Sequence, residues 1–317
     1  MNRTFFFLLT LLFYFFFSHS AVAKTDKTYI PLNKWTSQRV ISQAIGEVLS
    51  LHNINVEYVN IGSGEQWGAL QRGKIHFQLE VWQPSMAEVF SKLTAKQAIV
   101  DMGLHDAKVT EDWWYPKYVE ELCPELPHWR ALITCKSLFV EEDSGGKGVY
   151  YAGPWDYNDA DVIRALKLDF TINRSSGEMV LWKKLSKAIE QKRPIIILNW
   201  SPNWTDKHLL GRFIEFPAYT QECETNPEWG INKHLTRDCA NPKDGWLKKA
   251  AWPGLKAYEP CVFQFIKAVN LSDEMIADAS YFVNVLEQNE KQSARMWNKK
   301  YQSEIAFWIG KTCLSKE

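Results

Sequence analysis

Residues 28–93 read TYIPLNKWTSQRVISQAIGEVLSLHNINVEYVNIGSGEQWGALQRGKIHFQLEVWQPSMAEVFSKL, and their periodicity decides the fold class. Thr28 to Leu32 predicts a strand. Ser37 to Leu51 repeats apolar residues at helical spacing, placing Val40, Ile41, Ala44, Ile45 and Val48 on one face. Val56 to Ile61 predicts a second strand, and Glu65 to Gln71 a short helix closed by Gly73. Ile75 to Trp82 alternates like a strand, and Met86 to Leu93 is helical again. This βαβαβα order predicts an α/β layered domain with a largely parallel sheet.

Similar units follow. Gly148 to Ala152 and Pro194 to Asn199 predict buried strands. Ala160 to Leu166 and Gly177 to Gln191 predict helices, the second with Met179, Leu181, Leu185 and Ile189 inside. From about Phe213 the chain becomes loop-like through Pro217, Pro227 and Pro242. It then predicts helices over Leu255 to Val269, Ser272 to Glu287 and Ser293 to Ile309, with Ser272 as an N-cap. One economical arrangement is two α/β lobes, 24–112 plus 218–317 and 113–217, with the C-terminal helices returning to the first. A cleft between two lobes is a common place for a small ligand, and hinge closure is the expected motion.

Residues 1–23 predict a targeting segment: Arg3, a run of about 13 mostly apolar residues where spanning needs ~20, then Ala21-Val-Ala23. Cleavage after Ala23 and export to a periplasm are expected, and no later stretch approaches a membrane span. Lys+Arg and Asp+Glu balance at 37 each, which disfavours a nucleic-acid binder. Six Cys, an even count in an exported chain, suggest the neighbouring pairs Cys123–Cys135, Cys223–Cys239 and Cys261–Cys313. No CxxC occurs and the seven His are scattered, so no metal is expected.

Catalytic signatures such as HExxH, GxSxG and a P-loop are absent, and no cofactor or enzymatic activity is expected. Gly62-Ser-Gly-Glu-Gln-Trp-Gly68 has the wrong spacing for a phosphate loop and reads as a strand-to-helix turn. The adjacent acids Glu120-Glu121 and Glu141-Glu142 read as solvated surface, and Asp159 and Asp161 as helix-start caps. The outlier is tryptophan, 15 in 317 residues. Several stand at predicted strand ends, the ligand-facing edge of an α/β lobe. Trp35 follows the first strand, Trp82 ends the third, and Trp155 and Trp200 sit at the ends of the later pair. Converging in one cleft, their π faces would suit a cation that donates no hydrogen bond, a quaternary ammonium above all. Sugars also stack on Trp, and carbohydrate is the second choice.

At these residues the sequence resembles glycine betaine/choline-type substrate-binding proteins of ABC transporters. The likeness is carried by Glu80-Val-Trp-Gln-Pro-Ser85, Trp114-Tyr-Pro-Lys-Tyr-Val119, Asn199-Trp-Ser-Pro-Asn-Trp204 and Gly245-Trp-Leu-Lys-Lys-Ala-Ala-Trp252, with a helical tail bearing Trp297 and Trp308. It implies a two-lobed, type II-like venus-flytrap fold and an aromatic box around a trimethylammonium head group. Trp82 and Trp200 match box positions best. Trp35 matches the first box residue of choline-binding relatives, Trp155 one of proline-betaine-binding relatives, and Trp114 is the reserve member. Asn203 stands where many betaine-binding relatives have His, and Ser37 where choline-binding relatives have an acid. Both become candidates for holding the ligand's polar tail.

The expectation is therefore a soluble, monomeric receptor for glycine betaine, choline, carnitine or a similar compound, delivering it to an ABC permease and its ATPase. The alternatives are a receptor for a dimethylsulfonio compound or a sugar, and an α/β enzyme with an unrecognised site. Trp246, Trp252, Trp297 and Trp308 read as packing of the C-terminal part.

Overall fold

Two short strands rich in β-branched and aromatic residues, β1 (Thr28–Leu32) and β2 (Val56–Asn60), pair in parallel, Ile30 opposite Tyr58. The crossover between them is α1 (Thr36–Leu51), whose Val40, Ile41, Ala44, Ile45 and Val48 are all buried. The computed structural model describes residues 27–155 and 157–316; the expected leader and cleavage after Ala23 lie outside them. After α2 (Glu65–Gln71) the chain enters β3 (Phe77–Trp82), buried along its whole length, and continues into α3 (Gln83–Ala95).

The largest strand is β4 (Val100–Pro116), 17 residues long. It is followed by β5 (Gly148–Ala152), β6 (Phe170–Arg174), β7 (Ile196–Ser201), β8 (Gly211–Phe213) and β9 (Gly245–Ala251). The hydrogen-bonded order is β3-β9-β4-β7-β5-β6, with β8 also on β4. Strand β4 changes partners midway. Val109 faces Gly245 of β9, whereas Thr110 faces Ser201 of β7. One strand thus runs from one group of strands into the other.

The sheet departs from the parallel one that periodicity predicts. β5 runs parallel to β6 and β7, but β3–β9, β4–β9, β4–β7 and β4–β8 are antiparallel. The antiparallel strands β4 and β9 escape a hydrophobicity reading because charged residues interrupt them, among them the buried Glu111, Asp112 and Lys249.

Two expected C-terminal helices are each broken in two. Pro260, which lacks an N–H, starts a new helix Pro260–Ala268 after Leu255–Tyr258. The last stretch divides into Glu290–Lys300 and Gln302–Gly310. Ser272 does cap the helix Asp273–Asn284, accepting the Met275 N–H at 3.3 Å. In the helix Glu178–Glu190, Met179 is exposed rather than inside. Asp159, expected as a cap, is buried and accepts the Trp113 indole N–H at 2.9 Å.

Disulfides join Cys123–Cys135, Cys223–Cys239 and Cys261–Cys313. Trp297 is fully buried, its Nε1 donating to the Met275 carbonyl at 2.8 Å, and Trp308 packs beside it. Among the described residues, no helix is long and apolar enough to cross a membrane.

Candidate functional site

A cavity of about 350 Å³ opens between the β1–β3 side of the molecule and the β5–β7 side. That is the small end of the roughly 300–1,000 Å³ range of ligand pockets. Trp35, Trp82, Trp155 and Trp200 all line it. Each sits where a strand ends. Trp35 and Trp82 occupy the N-cap positions of α1 and α3, Trp200 is near the end of β7, and Trp155 follows β5. They are only 2% to 7% exposed.

The four rings are fixed from behind. Trp35 Nε1 donates to Glu80 Oε2 at 2.7 Å, and Trp82 Nε1 to the same oxygen at 3.1 Å. Ser37 Oγ adds a third donor to it at 3.0 Å. Glu80 is fully buried, and burial pushes its carboxyl up to about 7 against the pull of these three donors. On the opposite wall Trp155 meets Trp200 edge to face, centroids 5.3 Å apart. Trp182 backs Trp200 at 5.1 Å. Trp155 lies over Gly153, where a Cβ would fall 2.0 Å from the ring, so the glycine before this Trp is a packing requirement. Arg174 Nη1 pins the loop through the Trp155 carbonyl at 2.8 Å.

The polar side of the lining is sparse. Among the described residues it comprises Glu111, Tyr157, Ser85 and Ser63, with no Lys, Arg or His. Tyr157 donates to Glu111 Oε1 at 2.5 Å and Ser85 to Oε2 at 2.8 Å. Burial raises the Glu111 carboxyl to about 7, with the two hydroxyls opposing. A carboxyl there is shared between donor and anion near neutral pH. Trp155 Nε1 is also buried and, among the described residues, has no protein partner.

Three residues expected at the site lie outside this lining. Trp114 follows Trp113 on β4, so it points to the face opposite Glu111. Its ring instead covers Gly211, whose Cβ would fall 1.7 Å from Cζ2. Asn203 is fully buried in a capping box with Asp206 at the start of the helix Trp204–His208, and its amide also donates to Asn199 Oδ1 at 3.2 Å. Ser37 is spent on Glu80. Neither polar candidate reaches the cavity.

Other lining residues had no signal in the sequence, or a misread one. Trp67 and Met86 lie on helices where apolar residues read as core, and Ser63-Gly64 belong to the loop read as a simple turn. Glu111 sits on β4, the strand hidden by its charges, and Tyr157 lies two residues beyond Trp155. Among the described residues, no group of three or more His, Cys, Asp or Glu is placed to hold a metal.

The chain matches known proteins along nearly its whole described length. The family model for the substrate binding domain of the ABC-type glycine betaine transport system matches residues 29–300. A trimethylamine N-oxide-binding protein of Pelagibacter ubique is 33% identical over 277 residues, covering 84% of this chain and 86% of the relative. The fold is similar to that of an ABC-transporter choline binding protein solved with choline (TM-score 0.72, 12% identity, 92% and 93% of the two chains). It is also similar to a glycine betaine/L-proline-binding protein of Borrelia burgdorferi (TM-score 0.70, 15% identity, 90% and 97% of the two chains).

Proposed function

The chain belongs to the family of substrate-binding domains of ABC-type glycine betaine transport systems, and from that premise we propose that its ligand is a compact trimethylammonium compound, trimethylamine N-oxide foremost. The family consists of solute receptors of transporters, not enzymes. The observation that carries the proposal is the convergence of Trp35, Trp82, Trp155 and Trp200 on one small cavity. Each π face held against a desolvated onium contributes roughly 0.5–2 kcal/mol.

The polar lining selects among onium compounds. With Glu111 present and no cationic side chain among the described lining residues, these offer a ligand carboxylate no charge partner. An uncharged or N-oxide oxygen fits better, since a protonated Glu111 donates to it. The curated relative at 33% identity is named for trimethylamine N-oxide, which supports the same choice. Choline is the second reading, favoured by the charge of an ionised Glu111.

The remaining elements of the proposal follow from export. The leader is cleaved after Ala23, and the mature protein works as a periplasmic monomer that docks on an ABC permease and its ATPase. Its lobes are 24–112 with 218–317, and 113–217. Supporting that division, β4 leaves β9 for β7 between Val109 and Thr110, close to the proposed boundary. A thermal-shift screen tests the ligand class. Trimethylamine N-oxide and choline should raise the melting temperature saturably, and sugars should not; a shift confined to sugars rejects the onium reading.

A further inference from the structure

Helix α1 starts without a local cap. Its N-cap residue, Trp35, makes no side-chain cap hydrogen bond, and its first turn holds no acid. The free N–H groups and positive end of such a helix call for an anionic acceptor. That acceptor comes from 142 residues away: the Thr36 backbone N–H donates to Glu178 Oε2 at 2.5 Å. The other oxygen, Oε1, accepts Trp182 Nε1 at 2.7 Å. Glu178 is buried and lies outside the cavity lining.

Each of these bonds leads to a cage wall. Thr36 adjoins Trp35, and Trp182 backs Trp200. One carboxylate therefore ties the β1–α1 side of the cavity to the β6–β7 side. When the lobes part, α1 loses its cap to water and the Trp182–Glu178 bond stays within its own helix.

We propose that Glu178 is the latch of lobe closure, a positioning residue that holds Trp35 and Trp200 around the ligand by capping α1 only in the closed form. The proposal rests on the two-lobed receptor reading above. Hydrogen bonds to a buried charge are strong enough that losing this one should release ligand about tenfold faster. Association, which begins from the open form, should change little.

The test uses the mature protein with dyes at Lys92→Cys and Lys147→Cys, both exposed positions. Single-molecule FRET gives the closed fraction without ligand, and stopped flow gives trimethylamine N-oxide dissociation. Glu178→Ala should lower the ligand-free closed fraction and raise the dissociation rate about tenfold; the Trp182 indole loses its acceptor in both forms, so the melting temperature should fall without ligand too, but by more with ligand bound. Thr36→Pro removes the donor but suits the first position of a helix, and it should reproduce the effect and add nothing to Glu178→Ala. Additive effects, or an unchanged closed fraction and dissociation rate in Glu178→Ala, overturn the latch. So does an equal loss of stability with and without ligand. If the wild type fails to bind trimethylamine N-oxide, the ligand proposal fails, and the closed fraction alone then decides on the latch.

Discussion

Trp35 and Glu80, 45 residues apart, meet through a 2.7 Å hydrogen bond from the indole N–H to the buried carboxyl. Because Trp82 shares the same oxygen, Glu80 orients two rings of the cavity lining at once. Glu80→Ala leaves two buried indole donors unsatisfied, at about 1–3 kcal/mol each. Ligand affinity should fall by about tenfold or more, and the melting temperature by several degrees. An affinity equal to wild type, measured calorimetrically, contradicts the orienting role.

The cage residues should separate from the packing residues in their effects. Trp82→Ala and Trp200→Ala are each expected to weaken binding by about tenfold or more, on the order of 1.4 kcal/mol or above. Trp114→Ala and Trp297→Ala remove buried rings from the core and should lower stability while the remaining folded protein binds normally. Should Trp297→Ala weaken binding as much as Trp82→Ala in folded protein, the cage has been assigned wrongly.

Stability should decrease from mildly acidic to neutral pH. Burial raises Glu80, Glu111, Asp112 and Glu178 to about 7 and Asp159 to about 6, from ordinary values of 4.5 for Glu and 3.8 for Asp. Through that window the folded chain binds more protons than the unfolded one, so raising pH favours unfolding. Burial also lowers His76 to about 4 and His105 to about 3, which acts in the opposite direction below 6.5. Five carboxyls outweigh two imidazoles. The melting temperature at about pH 5.5 should exceed that at about pH 7.5; a rise across the interval contradicts this balance.

Binding of trimethylamine N-oxide should weaken with pH as well. Glu111, at about 7, can donate to the N-oxide oxygen only while protonated. Affinity is expected to fall from about pH 6 to about pH 8. Choline, a full cation, should show the reverse trend. Glu111→Gln keeps an amide donor and should flatten both profiles; an unaltered slope in that variant removes Glu111 from the polar contact.

The Cys261–Cys313 bridge spans 52 residues, against 12 and 16 for the other two. Loop-closure entropy assigns it about 4 kcal/mol, compared with about 3 for each shorter loop. Replacing both Cys261 and Cys313 by Ala should therefore lower the denaturation midpoint most of the three pairs. Equal midpoints for all three double variants speak against the entropic ranking.

Much of this architecture was legible in the residues. Val40, Ile41, Ala44, Ile45 and Val48 mark α1 because a helix burying one face repeats apolar residues at its own period. Trp35, Trp82, Trp155 and Trp200 stood out because each follows or ends a strongly apolar strand. What stayed hidden was set by tertiary pairing. β4 and β9 carry charged residues on both faces, Glu111 and Asp112 on one strand and Lys248 and Lys249 on the other, so neither shows the apolar alternation of a strand, and Glu111 is hidden with them. Asn203 and Ser37 were polar residues near the cage in sequence, yet their side chains serve a helix cap and the Glu80 carboxyl. A short motif cannot tell those roles from ligand contact.

The central claim is that four tryptophans enclose a compact trimethylammonium group whose polar end meets Glu111. Calorimetric titration of the mature protein with trimethylamine N-oxide and, separately, glycine betaine tests it most directly. Saturable one-to-one binding of trimethylamine N-oxide is expected, at least about tenfold tighter than glycine betaine, a difference of roughly 1.4 kcal/mol. Tighter binding of glycine betaine, or no heat with either compound, contradicts it.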